Sequence, residues 1–290
     1  MKKAYKTVFI FSATLVLAAI ISVLVLGLPL GVDFRGGSLM GIKFDGERPA
    51  LTEIRDTLSE NGYQDATVTY SGESVLIRLP EITESAHREL SGKLEVLGSF
   101  QEERFDAVGP VIGNELKNKT IWAIIFVLAG IIVYIAFVFR KLSSVLNPWA
   151  MGLAAITALS HDILVPLGVF AILGHFMGVE MSAVFVAAML TILGYSVADS
   201  VVVFDRIREN IIKFSSRESF ADTVHTSVKQ TLTRSINTSF TTLLPLLAIF
   251  FFGGETLKLF ALFLILGIFL GAYSSLFIAS PILVWLSRKR

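Results

Sequence analysis

Six apolar runs, each long enough to cross a bilayer, constrain this chain more than any other feature. They are Thr7–Leu28, Thr120–Phe139, Trp149–Leu173, Met181–Phe204, Val228–Phe252 and Leu257–Leu286. The hydrocarbon core of a membrane is spanned by about 20 helical residues, and such a segment must satisfy its backbone internally, so each run predicts a helix. The first run exceeds the ~7–15-residue apolar core of a signal peptide and has no small-x-small cleavage site before Gly31, which predicts a retained anchor. Only 17% of the residues are charged, against about 25% in soluble domains. With no cysteine in the chain, disulfides, thiolate chemistry and Cys-based metal sites are excluded.

Lys and Arg in the short loops predict the orientation. Lys2, Lys3 and Lys6 precede the first run, and Arg140 and Lys141 follow the second. Arg206, Arg208, Lys213 and Arg217 follow the fourth, and Arg288, Lys289 and Arg290 end the chain. The opposite loops, Gly174–Glu180 and Phe252–Thr256, carry no Lys or Arg. Both termini are therefore expected in the cytoplasm, with residues 31–119 outside and residues 120–290 carrying the remaining five spans.

The outer segment holds 10 basic and 16 acidic residues, a net charge of −6. Its pattern reads strand Ser38–Phe44, helix Leu51–Asn61, strands Ala66–Tyr70 and Ser74–Leu79 around a Ser71-Gly72-Glu73 turn, helix Thr83–Leu97 and strand Phe100–Val108. This β-α-β-β-α-β order predicts an α+β module of ferredoxin-like type. It contains no nucleophile–base pair, metal-ligand cluster or phosphate loop. His87 reads as solvated helix surface. The expected role is contact with another polypeptide, as a lever joined loosely to the membrane through Gly31, Gly36 and Gly37.

Charges inside a bilayer cost about 2.5–3.5 kcal/mol on insertion scales, so they are few and face protein or water. Away from the ends of the runs they are Asp162, Asp199 and Arg234, with His161 beside the first. Asp199 lies five residues before Phe204 and Arg234 six after Val228, which puts both roughly 8–9 Å below the inner surface. Opposite charge at equal depth on sequential helices predicts an ion pair, either a structural one or a working one. Ser196 and Ser200 flank Asp199. Arg234, Asn237, Thr238 and Thr241 share one helix face, extended by Gln230 and Thr231; that stripe reads as the lining of a hydrated seam or as ordinary helix–helix contact. Pro166 predicts a kink in the third span. Asp205, Arg206, Arg208 and Glu209 read as an interfacial helix start.

Four motifs carry a resemblance: "GVDFRGG" at Gly31–Gly37, "ALSHDILV" at Ala158–Val165, "GYSVADSVVVFDRIREN" at Gly194–Asn210 and "QTLTRSINTS" at Gln230–Ser239. With six spans and one large outer segment after the first, the chain resembles the SecF family of the bacterial SecD–SecF protein-export complex over essentially its whole length. The resemblance implies half of an RND-like bundle in the bacterial cytoplasmic membrane. It implies as partners SecD, the SecYEG translocon with YajC-like and YidC-like subunits, unfolded preprotein and membrane lipid, and no nucleic acid. It implies a transport role driven by the proton-motive force, with sodium replacing protons in some relatives, no cofactor or metal, and no enzymatic activity. Asp199 becomes the proton-carrying acid, Arg234 its charge partner and Asp162 a weaker member of the same relay, lined by Ser196, Ser200, Asn237 and Thr238. The alternative, an RND-type exporter of lipid or small molecules, requires a larger apolar porter domain than this outer segment offers. A non-transporting assembly factor is a third reading and predicts tolerance of neutral replacements at Asp199.

Overall fold

The computed structural model describes residues 3–140, 147–214 and 219–287; Lys2, Lys141, Arg217 and Arg288–Arg290, used above for orientation, lie outside them. Among the described residues, six helices are long and apolar enough to cross a membrane. They are α1 (Lys3–Leu26), α5 (Pro110–Val138), α6 (Pro148–Met177), α7 (Ala183–Phe214), α8 (Phe220–Phe252) and the last span, made of α9 (Glu255–Ser274), a π-helical segment Ser275–Ala279 and α10 (Ser280–Leu286). The expected spans are met, with ends extended by polar turns. α6 runs on through Pro166. α7 continues past the interface to Phe214, so the charged stretch after Phe204 is helix interior. There Arg206 pairs with Glu209 at 2.7 Å and Arg208 with Asp205 at 2.6 Å.

The chain divides into two compact units, and the second comprises Leu26–Ile121 together with Phe170–Ala183. In the membrane helices of the first, Ile135, Phe139, Met151, Ala154, Ala155, Ala158, Val203, Phe204 and Ile207 form a buried cluster with Leu276, Ile278 and Leu283. In the second, a short helix α2 (Val32–Arg35) leads into β1 (Gly37–Phe44). α3 (Leu51–Glu60), β2 (Thr67–Ser71), β3 (Ser74–Leu79), α4 (Glu84–Leu94) and β4 (Phe100–Val108) follow. The sheet is antiparallel throughout, in the order β2-β3-β1-β4, with Met40 between Ile77 and Phe105. One bulge shifts the β1–β4 register between Gly41 and Ile42. Alternate residues of the strands, Met40, Ile42, Phe44, Val75, Ile77 and Leu79, meet Ile54 and Leu58 of α3 and Leu90 and Leu94 of α4 in one core.

His87 departs from the sequence reading. It is 9% exposed, its Nε2 lies 2.8 Å from Glu102 Oε2, and its ring stacks on Phe105 with centroids 3.7 Å apart. Its place at i−3 and i−7 from Leu90 and Leu94 puts it on the buried face of α4.

The expected loose base also differs. Gly31 N–H donates to Met181 O (2.9 Å) and Met181 N–H donates to Pro29 O (2.6 Å), pinning the strand that leaves α1. Asp33 Oδ2 accepts from the Ala183 N–H at 2.7 Å, capping the start of α7. The Arg78 guanidinium pairs with Glu180; burial, aided by nearby Arg35, pulls it below the ordinary arginine range. Gly36 and Gly37 have φ +78° and +109°. A Cβ would lie 2.7 Å from Pro110 Cα at the first and 2.7 Å from Leu79 O at the second. These glycines therefore serve close approach in a fixed conformation. Gly37→Ala is expected to destabilise the sheet by about 1–3 kcal/mol, the cost of a side chain in a sparsely populated backbone region. Hydrogen exchange of the β1 and β3 amides in the full chain measures this, and unchanged protection would mean that the position has slack.

Candidate functional site

Two carboxylates define the interior of the membrane helices. Asp162 of α6 is fully buried. Its Oδ2 accepts from Ser196 Oγ of α7 at 2.6 Å and from Ser274 Oγ of α9 at 2.7 Å, and its Oδ1 lies 2.9 Å from His161 Nδ1. His161 Nε2 is 2.6 Å from the Tyr273 hydroxyl, which accepts from Ser12 Oγ of α1 at 3.4 Å. Four helices thus converge on one acid.

Asp199 of α7 is half-buried. Ser235 Oγ of α8 donates to its Oδ1 at 2.6 Å, and Ser275 Oγ, at the start of the π-helical segment, donates to its Oδ2. Hydroxyls are suited to this work: each supplies one donor on a short side chain and lets the helices close up. Gly271 permits the same closeness, since a Cβ there would sit 3.2 Å from Ser196 Cβ and 3.5 Å from Asp162 Oδ2.

The expected Asp199–Arg234 ion pair is not formed: among the described residues neither carboxylate oxygen of Asp199 has a cationic partner, and Arg234 is exposed. Ser235, the next residue, takes the place at Asp199. Adjacent helical residues are turned by about 100°, so the two cannot serve the same face. Asn237, Thr238 and Thr241 are exposed with Arg234, and Thr238 and Thr241 return their hydroxyls to carbonyls of their own helix. The buried face of α8 is Ser227, Thr231, Ser235 and Ser239, at strict spacing of four. Asn210 Nδ2 of α7 donates to Ser227 Oγ (2.8 Å), and the Tyr195 hydroxyl donates to Ser239 Oγ (3.3 Å). That unbroken hydroxyl spacing was the available signal. Ser196 serves Asp162, and Ser200 Oγ is buried with no hydrogen-bond partner. Ser12, Tyr273, Ser274 and Ser275 had no comparable signal.

Residues 90–289 match the SecD/SecF C-terminal family of protein export membrane proteins, and residues 21–47 match the SecD/SecF GG motif. The chain belongs to the SecD/SecF family. It is 44% identical over 293 residues to the protein translocase subunit SecF of Thermobaculum terrenum, covering 95% of this chain and 90% of that one. It is 36% identical over 299 residues to the SecDF subunit of Thermus thermophilus, covering 97% of this chain but 38% of that longer one. The crystal structure of SecDF from Thermus superposes with a TM-score of 0.86 at 34% identity, over 97% of this chain and 37% of that chain. The GG-motif segment holds Asp33, Gly36 and Gly37, and the C-terminal segment holds both carboxylates and all their serine donors.

The contacts rank α8 side chains in a way that equal depth does not. Ser235→Ala is expected to lower the unfolding free energy of the lipid- or detergent-embedded chain by about 0.6–1.7 kcal/mol, the range for one interhelical hydrogen bond. Arg234→Ala, at an exposed side chain with no hydrogen bond or ion pair among the described residues, should stay within about 0.5 kcal/mol of the parent. Reversible denaturation of the purified chain decides, and the opposite ranking would restore the ion pair.

Proposed function

We propose that this chain is the SecF-type half of a proton-driven complex that assists preprotein export, its other half a SecD-type chain. The observation that carries this reading is the exposed polar face of α8. Arg234, Asn237, Thr238 and Thr241 lie on a membrane-crossing helix with no cover from their own chain. A cation facing lipid is expensive, so a second set of helices is needed over that face. The SecDF relatives, which carry this region as little more than a third of a longer chain, support a SecD-type segment as that cover. On this reading Arg234 faces the partner, on the side of α8 turned away from Asp199, and the two halves form an RND-like bundle in the cytoplasmic membrane with both termini of this chain inside the cell. SecYEG, with YajC-like and YidC-like subunits, is the translocon served.

Asp199 is the group we assign to proton binding. It is only half-buried, and both of its donors are neutral hydroxyls, so its charge can be cancelled without stranding a buried cation. Protonation turns one acceptor oxygen into a donor, and whichever of Ser235 and Ser275 holds that oxygen must turn to accept. Each charge moved through 100 mV makes about 2.3 kcal/mol available, enough to shift helices held by a few hydrogen bonds. Asp162, with three partners, is the more constrained member of the relay. A sodium ion could occupy the same acceptor role, and no cofactor is required. The β2-β3-β1-β4 order supports a ferredoxin-like outer domain, which we read as a non-enzymatic body that contacts the emerging polypeptide.

Asp199→Asn should reduce export in vesicles with an imposed proton gradient to the rate seen without one, while the complex still assembles; full stimulation would favour a structural carboxylate. Cross-linkers placed at Asn237 and Thr241 should capture a SecD-type chain in native membranes. Capture from α5 alone would put the partner on another face.

A further inference from the structure

We propose that Ser274 and Ser275 are positioning residues that make Asp162 and Asp199 change protonation as one coupled pair. This rests on the reading that Asp199 binds a proton. Two adjacent residues of the last span each hold one of the two membrane carboxylates: Ser274 donates to Asp162 on α6 and Ser275 to Asp199 on α7. All three of Asp162, Ser274 and Ser275 are fully buried, so water does not stand in for a lost partner. The junction between the serines is where α-helix gives way to π-helix, and Ser280 Oγ reaches back to Ser275 O at 3.0 Å. Such one-turn π segments mark places where a helix departs from its most stable form, often at functional sites.

The coupling runs through a shared acceptor. The Gly271 carbonyl receives the Ser275 backbone N–H and also lies 3.3 Å from Ser274 Oγ. With Asp162 ionised, the single Ser274 hydroxyl proton is directed to the carboxylate. When the proton taken up by Asp162 sits on Oδ2 and points to Ser274, Ser274 accepts it and its own hydroxyl proton turns to Gly271 O. There it shares the carbonyl with the Ser275 N–H, so the Ser274 hydroxyl bears directly on the turn that aims Ser275 at Asp199. By linkage the same coupling acts when Asp199 gains the proton first.

The other ionisable groups around the pair are few. His161 faces Asp162 from α6, and Tyr273 reaches His161 from α9. Tyr195 of α7 bonds Ser239, and Arg234 of α8 is exposed beside Ser235. α1 contributes Ser12 through Tyr273. None of the described contacts of these groups bridges Asp162 to Asp199; the serine pair touches both acids directly, whereas Ser196 of α7 touches only Asp162.

The test is a mutant cycle on the full chain in lipid vesicles, reading the carboxylic-acid infrared band of Asp199, assigned by its loss in Asp199→Asn, as a function of pH. Asp162→Asn, which imitates the protonated acid, should shift the Asp199 midpoint by about one pH unit, a tenfold change in proton affinity. In a Ser274→Ala or Ser275→Ala background the same substitution should become additive, with the shift reduced to about twofold or less. Ser275→Thr should restore it. Ser275→Cys, a weaker donor of similar size, should reproduce the alanine result where alanine impairs folding. A shift of unchanged size in both serine variants would mean that the carboxylates sense each other through space, and no shift in the parent would mean that they are independent; either overturns the coupling alone. An Asp199 that never titrates overturns both the coupling and the proton reading.

Discussion

A carboxylate among apolar helices must be surrounded by donors, because the alternative is an uncompensated charge or an unsatisfied polar group in hydrocarbon. Most polar contacts between the membrane helices of this chain follow from meeting that demand twice. Asp162 draws hydroxyls from α7 and α9, and Asp199 draws them from α8 and the π segment. Short donors require close helices, and Gly271, whose Cβ would crowd Ser196 and Asp162, keeps them close. The π segment begins at the serine that holds Asp199, and the junction lets two consecutive side chains serve acids on two different helices.

The outer unit is governed by a different constraint. Its core is an ordinary two-layer one, but its first strand leaves α2 through two glycines held against Pro110 and Leu79, and the preceding residues are hydrogen-bonded to Met181. Asp33 of the GG motif caps the N-terminus of α7. A carboxylate at a helix N-terminus is favoured by both the free N–H groups and the helix dipole. The segment that a sequence reading takes for a flexible link is therefore held in a fixed conformation within its own unit.

Much of this was legible in the sequence, and the exceptions share a cause. Spans were readable because bilayer thickness sets helix length, and the outer strands because Gly62, Gly72 and Gly98 end elements whose apolar periodicity is clean. Depth along a helix was readable too, which is why Asp199 and Arg234 looked like partners. Azimuth was harder to read: Ser235 directly follows Arg234, and only the spacing of four from Ser227 through Thr231 and Ser235 to Ser239 pointed to the second. Serines are also too common in membrane helices for Ser274 and Ser275 to stand out, and a π segment has no local signature that survives without its neighbours. His87 was misread because one polar side chain on a polar helix gives no sign of the Glu102 and Phe105 opposite it.

If Asp199 is where a proton enters the work of the complex, then protons must cross the membrane when the complex runs. The direct measurement is luminal or external pH, followed by a dye, in vesicles holding this chain with its SecD-type partner and an active translocon while a preprotein is exported. Proton binding at Asp199 predicts a flux that begins with translocation, scales with its rate and vanishes in Asp199→Asn. Gradient-dependent export with no proton flux, or a flux unchanged by Asp199→Asn, would contradict it.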